Sequence, residues 1–221
     1  MLTISWSEFA APILLSVKVS LTASLIVFLL GIAGAWALSR RTFKGKTVLE
    51  TVLMLPMVLP PTVVGFILLM MLGKKSWLGL FFESWFAQTI IFTWWAAVIA
   101  SVVVAFPLVY QTMKVGFTSV DRDLEDAGRS MGASEWQVLR FITLPLAWRA
   151  LMIAYVLGFA RALGEFGATL MIAGNIPNKT QTVPTAIYMA VESGRLELAW
   201  WWTGSIIVIS FVMLLIVQLK K

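Results

Sequence analysis

Cysteine and histidine are absent from this 221-residue sequence. Without cysteine the chain can form no disulfide or thiolate site, and without histidine it lacks the commonest metal ligand and proton shuttle. A G-x-x-x-x-G-K-[ST] phosphate-binding loop is also absent, which excludes ATP hydrolysis by that route. A membrane enzyme built on histidine is disfavoured for the same reason. We therefore expect no catalytic residue, no metal site and no cofactor bound by this chain.

Charged residues are scarce as well. They make up 13% of the chain, against 60% hydrophobic residues, and the mean hydropathy is +0.90. Too few polar residues remain to cover a soluble domain of this size, so the composition predicts a membrane protein. Apolar runs of about 20 residues can cross a bilayer as helices. Five such runs predict an all-α polytopic membrane protein with about five transmembrane helices: Pro12–Leu38, Val48–Leu72, Thr89–Tyr110, Ala150–Ala173 and Trp200–Leu219.

Lysine and arginine are distributed unevenly among the connections between these runs. Eleven lie on one side, in the first and third connections and at the C-terminal end, and four lie on the other side. Because positive residues collect on the cytoplasmic side, the sequence predicts an N-terminus outside and a C-terminus in the cytoplasm. This distribution accounts for most of the net charge of +6. It argues against a nucleic-acid partner and agrees with a chain surrounded by membrane lipid.

The connection between the third and fourth runs, residues 118–146, carries its charges in an ordered pattern. Gly132 predicts a helix break, and Ser134 followed by Gln137 predicts a capping box, in which each side chain bonds a backbone N–H of the other residue. We expect two short cytoplasmic helices with a bend between them. An acidic cluster precedes the break, and its members are Asp121, Asp123, Glu125 and Asp126.

This segment resembles the cytoplasmic loop of bacterial ABC importer permeases, whose pattern is E-A-A, three residues, G, nine residues, I, one residue, L-P. Asp126 stands at the Glu position, Gly128 replaces the second Ala, and Glu125 supplies a carboxylate one residue earlier. The resemblance implies that this coupling loop docks on a separate ATPase subunit, with the acidic role carried by Glu125 or Asp126. The other positions that match the pattern are Ala127, Gly132, Ile142, Leu144 and Pro145.

Prolines interrupt the second run at Leu55-Pro56 and again at Leu59-Pro60-Pro61-Thr62. Proline removes a backbone donor and breaks the helix, and lipid cannot satisfy the freed carbonyl groups. One interpretation is a broken helix that faces a translocation path, with Pro60, Pro61 and Thr62 beside it. The other is an ordinary kink that packs against neighbouring helices.

The fourth run contains F-A-R-A-L-G-E-F-G-A-T, which places Arg161 and Glu165 one helical turn apart. Ionisable groups at this depth are costly, so we expect the two to pair and to face the bundle interior, a subunit interface or the path. A structural ion pair is one interpretation. A path that attracts an anion through the guanidinium group is the other, and the candidate path also includes Gly164 and Gly167, which permit close helix approach.

Motifs along nearly the whole chain are similar to those of molybdate ABC importer permeases. The resemblance implies a single transmembrane domain over residues 1–221 with the type I importer fold, in a bacterial cytoplasmic membrane. It also implies a homodimer, two ATPase subunits that bind ATP–Mg, and an extracytoplasmic binding protein that delivers molybdate or tungstate. The motifs are R-R-T-F-K-G-K, L-P-M-V-L-P-P-T-V-V-G, R-A-L-G-E-F-G-A-T and N-I-P-N-K-T-Q-T-V-P-T-A-I-Y.

Three alternatives stay open. Sulfate and thiosulfate permeases have a similar loop and a similar Gly-Glu pair, although the segments 165–168 and 175–177 favour molybdate. An ion-coupled secondary transporter would need an ionisable relay, and only Arg161 and Glu165 lie firmly within the runs. A membrane enzyme would need a catalytic constellation that this sequence does not supply. Residues 182–193 form a predicted short helix that either re-enters the bundle or lies on its surface.

Overall fold

A computed structural model describes residues 6–86 and 88–219, and helices dominate this part of the chain. A π-helical turn, Leu139–Thr143, joins the seventh helix to the eighth without a break. The helices are α1 Trp6–Arg40, α2 Lys46–Val58, α3 Pro61–Leu72, α4 Trp77–Phe86, α5 Trp94–Thr118, α6 Arg122–Ser130, α7 Glu135–Val138, α8 Leu144–Leu163, α9 Gly167–Ala173, α10 Val183–Glu192 and α11 Leu196–Leu219.

Four helices of the described chain are long and apolar enough to cross a membrane. They are α1, α5, the continuous helix Glu135–Leu163 and the segment Leu196–Ile216 of α11. Helices α2 and α3 supply a fifth candidate if the two count as one span bent by 113°. The predicted all-α membrane fold with about five spans is therefore confirmed. At 1.5 Å per residue α1 is about 50 Å long, well beyond the hydrocarbon core of about 30 Å.

The predicted runs fall on these helices with shifted boundaries. The first run lies within α1 and the last lies within α11. The third run begins before the first residue of α5 and ends before the last residue of α5. The run Ala150–Ala173 falls on α8 and α9, which residues 164–166 separate. The Ala168 N–H lies in the first turn of α9, where no helical carbonyl can accept it. It donates to the Glu165 carboxylate at 2.9 Å instead, and this hydrogen bond stabilises the break.

Only one of the two proline sites in the second run breaks the helix. Pro56 lies inside α2, where the Leu59 N–H still donates to the Leu55 carbonyl at 3.0 Å, so helical bonding continues past the ring. The chain turns at Leu59 and Pro60, which both have extended backbone angles. Because Pro61 is already the first residue of α3, its missing N–H costs no helical bond there.

The core forms where α5 packs between α1 and α8. Small residues allow this close approach, which matters in lipid because helix association depends on van der Waals contact. A Cβ atom at Gly31 of α1 would lie 2.8 Å from the Met113 sulfur, and one at Gly158 of α8 would lie 2.7 Å from Val109 Cγ2. The face of α1 that is buried consists mainly of small side chains: Ser16, Val19, Ser20, Ala23, Ser24, Val27, Gly31 and Ala35.

Helix α10 enters the bundle at its N-terminal end. Val183, Thr185 and Ala186 are almost fully buried, and the Val183 N–H donates to Ser16 Oγ of α1 at 2.7 Å. Helix α11 packs against α10. The first part of α10 is therefore inserted among other helices, whereas Tyr188, Met189 and Val191 further along it are exposed. Re-entry of this segment into the membrane stays a prediction.

Helices α3 and α9 cross in close contact at Gly65. A Cβ atom at this position would lie 2.7 Å from Met171 Cβ and 2.8 Å from Ala168 Cα. Both distances are shorter than any ordinary contact, and the second involves backbone that cannot rotate away. Gly65 therefore sets the separation of the two short helices that begin at the breaks.

We expect Gly65→Val to destabilise the fold by about 1–3 kcal/mol through overpacking of this contact. Thermal unfolding of the purified protein in detergent would measure the effect. Gly204→Val is the matched control, because it is also a helix position but a Cβ atom there meets no described atom within 4 Å. Equal losses of stability in the two variants would show that helix propensity, and not the α3–α9 contact, is responsible.

Candidate functional site

The predicted coupling loop folds as two short helices around a bend. Gly132 has a φ of +88°, a conformation that favours glycine, and it ends the turn after α6. The predicted capping box is confirmed: the Gln137 N–H donates to Ser134 Oγ at 3.4 Å, and the Ser134 N–H donates to Gln137 Oε1 at 2.8 Å. Helix α7 then continues through the π-helical turn into α8, so the second short helix is the N-terminal end of a candidate span.

Glu125 is the buried acid of this loop. Its side chain is 0% exposed, and both carboxylate oxygens accept hydrogen bonds from the Arg40 guanidinium at the end of α1. The Thr143 hydroxyl also donates to Glu125 Oε1, at 2.6 Å. A buried carboxylate needs such charge-assisted bonds to offset its lost hydration. Glu125 therefore ties α6 to both α1 and the π-helical turn.

Asp126 is the exposed acid. Its side chain is 67% exposed and pairs with Arg129 of the same helix. The Arg129 Nε–H also donates to Glu135 Oε1 at 2.6 Å, which joins α6 to α7 across the bend. This hydrogen bond raises the pKa of Arg129 above its ordinary value. Of the two carboxylates that the sequence leaves as candidates for docking, Asp126 lies on the surface and Glu125 does not.

The remaining pattern positions divide between packing and surface. A Cβ atom at Gly128 would lie 2.6 Å from Ile142 Cδ1, so these two residues bring α6 against the π-helical turn. Ala127 and Pro145 are exposed, and Leu144 is half-buried at the start of α8. Large apolar side chains around the bend also face outward: Leu124, Met131, Trp136 and Phe141.

The candidate path residues meet at the two helix breaks. Arg161 Nη1 donates to Glu165 Oε2 at 2.8 Å, and Glu165 is only 2% exposed. A Cβ atom at Gly167 would lie 3.0 Å from Pro61 Cβ and 3.3 Å from the backbone N of Thr62. The structure thus brings Gly167, Pro61 and Thr62 together, with Pro60 immediately before them.

Gly164 stands apart from this contact. It caps α8, and the nearest atom to a Cβ placed there is the Ala160 carbonyl of the same helix, at 3.6 Å. Gly164 therefore contributes to the end of α8 and not to a close contact with another helix.

Sequence reasoning missed several partners. In the sequence Arg40 is one of the positive residues that predict the orientation, and Thr143 occupies an unspecified position of the loop pattern. Neither therefore stands out as a hydrogen-bond partner of Glu125.

A second missed cluster lies on α2 and α5, where Glu50 accepts hydrogen bonds from Lys114 Nζ at 2.7 Å and from the Tyr110 hydroxyl at 3.1 Å. Tyr110 is fully buried. A tyrosine and a lysine one turn apart near the end of an apolar run are the only signal that could have indicated it.

Comparison with known families agrees with this geometry. A family model described as the binding-protein-dependent transport system inner membrane component matches residues 19–219. The chain belongs to this family. It is a multi-pass membrane component of a transport system, and the relatives below are named as permeases.

Three relatives indicate the breadth of the family. The putative molybdenum transport system permease protein YvgM of Bacillus subtilis is 57% identical over 220 residues, which are 99% of this chain and 96% of the relative. The molybdenum transport system permease protein ModB of Escherichia coli K12 is 45% identical, over 82% of this chain and 79% of the relative. The probable sulfate transport system permease protein cysT of Chlorella vulgaris is 36% identical, over 81% and 67%.

A solved structure supports the fold of this family member. The inward-facing methionine ABC transporter MetNI superposes with a TM-score of 0.75, over 96% of this chain and 93% of that chain, at 14% identity. At this identity the likeness shows the fold, which is that of a type I ABC importer permease. The fold that the sequence predicts is therefore confirmed.

We expect Glu125→Gln to lower stability far more than Asp126→Asn, because the first leaves the Arg40 guanidinium without its buried counter-charge. Breaking a buried pair costs about 3–5 kcal/mol, whereas an exposed pair contributes at most about 1 kcal/mol. Thermal unfolding of both variants in detergent would measure the difference. Indistinguishable unfolding temperatures would mean that the buried bond network does not stabilise the loop.

Proposed function

We propose that the chain is the membrane-spanning permease subunit of an ATP-driven importer that translocates molybdate and tungstate. The observation that carries the proposal is the 57% identity to a molybdenum permease along almost the full length of both chains. The family match over residues 19–219 supports the transport class independently. A binding protein on the outer side would deliver the oxyanion, and the permease would provide the passage.

Sulfate is the second candidate substrate. A relative named as a sulfate permease is also similar, but at 36% identity over a smaller share of both chains. The chemistry of the path does not separate tetrahedral oxyanions of equal charge. The higher identity to the molybdenum permeases therefore favours molybdate, and the binding protein would provide most of the selection.

The coupling loop is our candidate for the ATPase contact. Asp126 supplies a surface charge on α6, and around the same bend Met131 is 88% exposed and Trp136 is 62% exposed. Such a mixed surface suits a cleft that buries apolar side chains and pairs one acid. Two cytoplasmic ATPase subunits would bind ATP–Mg and close on the loops of two permease copies. Cytoplasmic placement of this loop follows from the positive-inside rule, which also puts the N-terminus outside.

A second copy of this chain would complete the passage. Helix α2 has no buried residue in the described chain, although it is apolar along most of its length. Its exposed side chains include Val52, which is 54% exposed, and Val58, which is 81% exposed. A homodimer would allow the bent α2–α3 pairs of both copies to face a path on the two-fold axis, in a bacterial cytoplasmic membrane.

Alternating access follows from this arrangement. ATP binding would bring the ATPase subunits and the docked coupling loops together, which would open the dimer outward to the binding protein. Because Glu125 bonds Arg40, movement of the loop would carry the end of α1 with it. Hydrolysis would then return the dimer to the inward-facing state.

The test is ATP hydrolysis by the complex reconstituted with its ATPase and binding protein, with molybdate, tungstate and sulfate at equal concentrations. We expect stimulation by molybdate and tungstate and none by sulfate. The permease without the ATPase subunits is the control and should hydrolyse no ATP. Stimulation by sulfate alone would assign the chain to the sulfate permeases, and hydrolysis unaffected by any of the three anions would contradict oxyanion import.

A further inference from the structure

Two buried hydroxyl groups in the bundle have no hydrogen-bond partner among the described residues. They belong to Ser20 on α1 and Ser101 on α5, and each residue is 1% exposed. A helical serine can bond a carbonyl of the preceding turn, as Ser24 does with Leu21 at 3.1 Å. Ser20 and Ser101 instead leave their donors unused in an interior where unpaired polar groups are rare and unfavourable.

Both hydroxyls line one small cavity beside the break at 164–166. Its walls come from α1, α5, the end of α8, α9 and the segment before α10, and the space between them is too narrow to admit a water molecule. A bound water molecule in this cavity therefore cannot be the hydrogen-bond partner of either serine in this conformation. The polar residues of the wall are all at least nine-tenths buried: Ser16, Ser20, Ser101, Glu165, Thr169 and Thr182.

The charges around this cavity are balanced. Glu165 Oε2 accepts from Arg161 and Oε1 accepts from the Ala168 N–H, so neither carboxylate oxygen lacks a donor. Arg161 uses Nη1 for this bond, and a guanidinium has five N–H donors in total. The unused groups include the two serine O–H donors and the remaining N–H groups of Arg161, and such donors suit an oxyanion.

We propose that Ser20 and Ser101 form an oxyanion subsite within the permease, completed by the remaining N–H groups of Arg161 when the broken segment at 164–166 moves. This inference rests on the proposed function. Neutral hydroxyl donors suit transient binding, because they contribute charge-assisted hydrogen bonds while the charge of Arg161 is balanced by Glu165. The narrow cavity corresponds to the closed form of the subsite.

The double variant Ser20→Ala/Ser101→Ala tests the subsite in the complex reconstituted with its ATPase and binding protein. We expect the initial rate of molybdate uptake at limiting molybdate to fall at least tenfold, since the loss of even one hydrogen bond to a charged group costs about that factor. Ser24→Ala is the matched control, because Ser24 is equally buried on the same helix but its hydroxyl bonds Leu21. Its uptake should equal that of the unmodified complex.

Assembly and thermal unfolding separate binding from folding. Removal of an unpaired buried hydroxyl should leave the unfolding temperature unchanged or raise it. Uptake at the unmodified rate by the double variant would overturn the subsite. Loss of assembly or a lower unfolding temperature would assign the hydroxyls to the fold and would overturn it as well. Failure of the unmodified complex to take up molybdate would instead contradict the proposed function, so the two failures are distinguishable.

Discussion

The buried carboxylate of Glu125 is the constraint on which the coupling loop and the helix ends around it depend. It is fully removed from solvent and held by Arg40 and the Thr143 hydroxyl, which lie on α1 and on the π-helical turn. A charge in that position cannot lose its partners without a large cost in free energy. Helix α6, the end of α1 and the start of the Glu135–Leu163 helix are therefore joined as one unit, and the exposed face around Asp126 and Met131 is carried on it.

Two helix breaks determine how α3 and α9 pack together. The chain turns at Leu59–Pro60 and at 164–166, and each turn starts a short helix that packs on the other through Gly65 and Gly167. Lipid cannot satisfy the backbone groups freed by such breaks, so they must be enclosed by protein or line a path. The Arg161–Glu165 pair lies at the second break, and the unpaired hydroxyls of the neighbouring cavity lie next to it.

Much of this fold could be predicted from the sequence, because long apolar runs, a capping box and a loop pattern are local signals. Residue contacts between distant segments could not. Glu125 and Asp126 are adjacent acids, and only the packing of α6 shows that one is buried and the other exposed. Proline generally breaks helices, yet Pro56 lies inside α2 and only Pro60 follows the end of a helix. Ser20 and Ser101 are indistinguishable in sequence from ordinary small residues at helix contacts.

Whether the coupling loop and α1 move together can be measured by the distance between spin labels on cysteines at Arg41, after α1, and Arg122, at the start of α6. Both positions are exposed, and the chain has no other cysteine. Labelled protomers diluted with unlabelled ones in the ATPase complex would report the distance within one protomer, without and with ATP. We predict the same distance in both states, because the Glu125–Arg40 bond moves loop and helix together. A shift comparable to one helical turn, about 5 Å, would contradict this link.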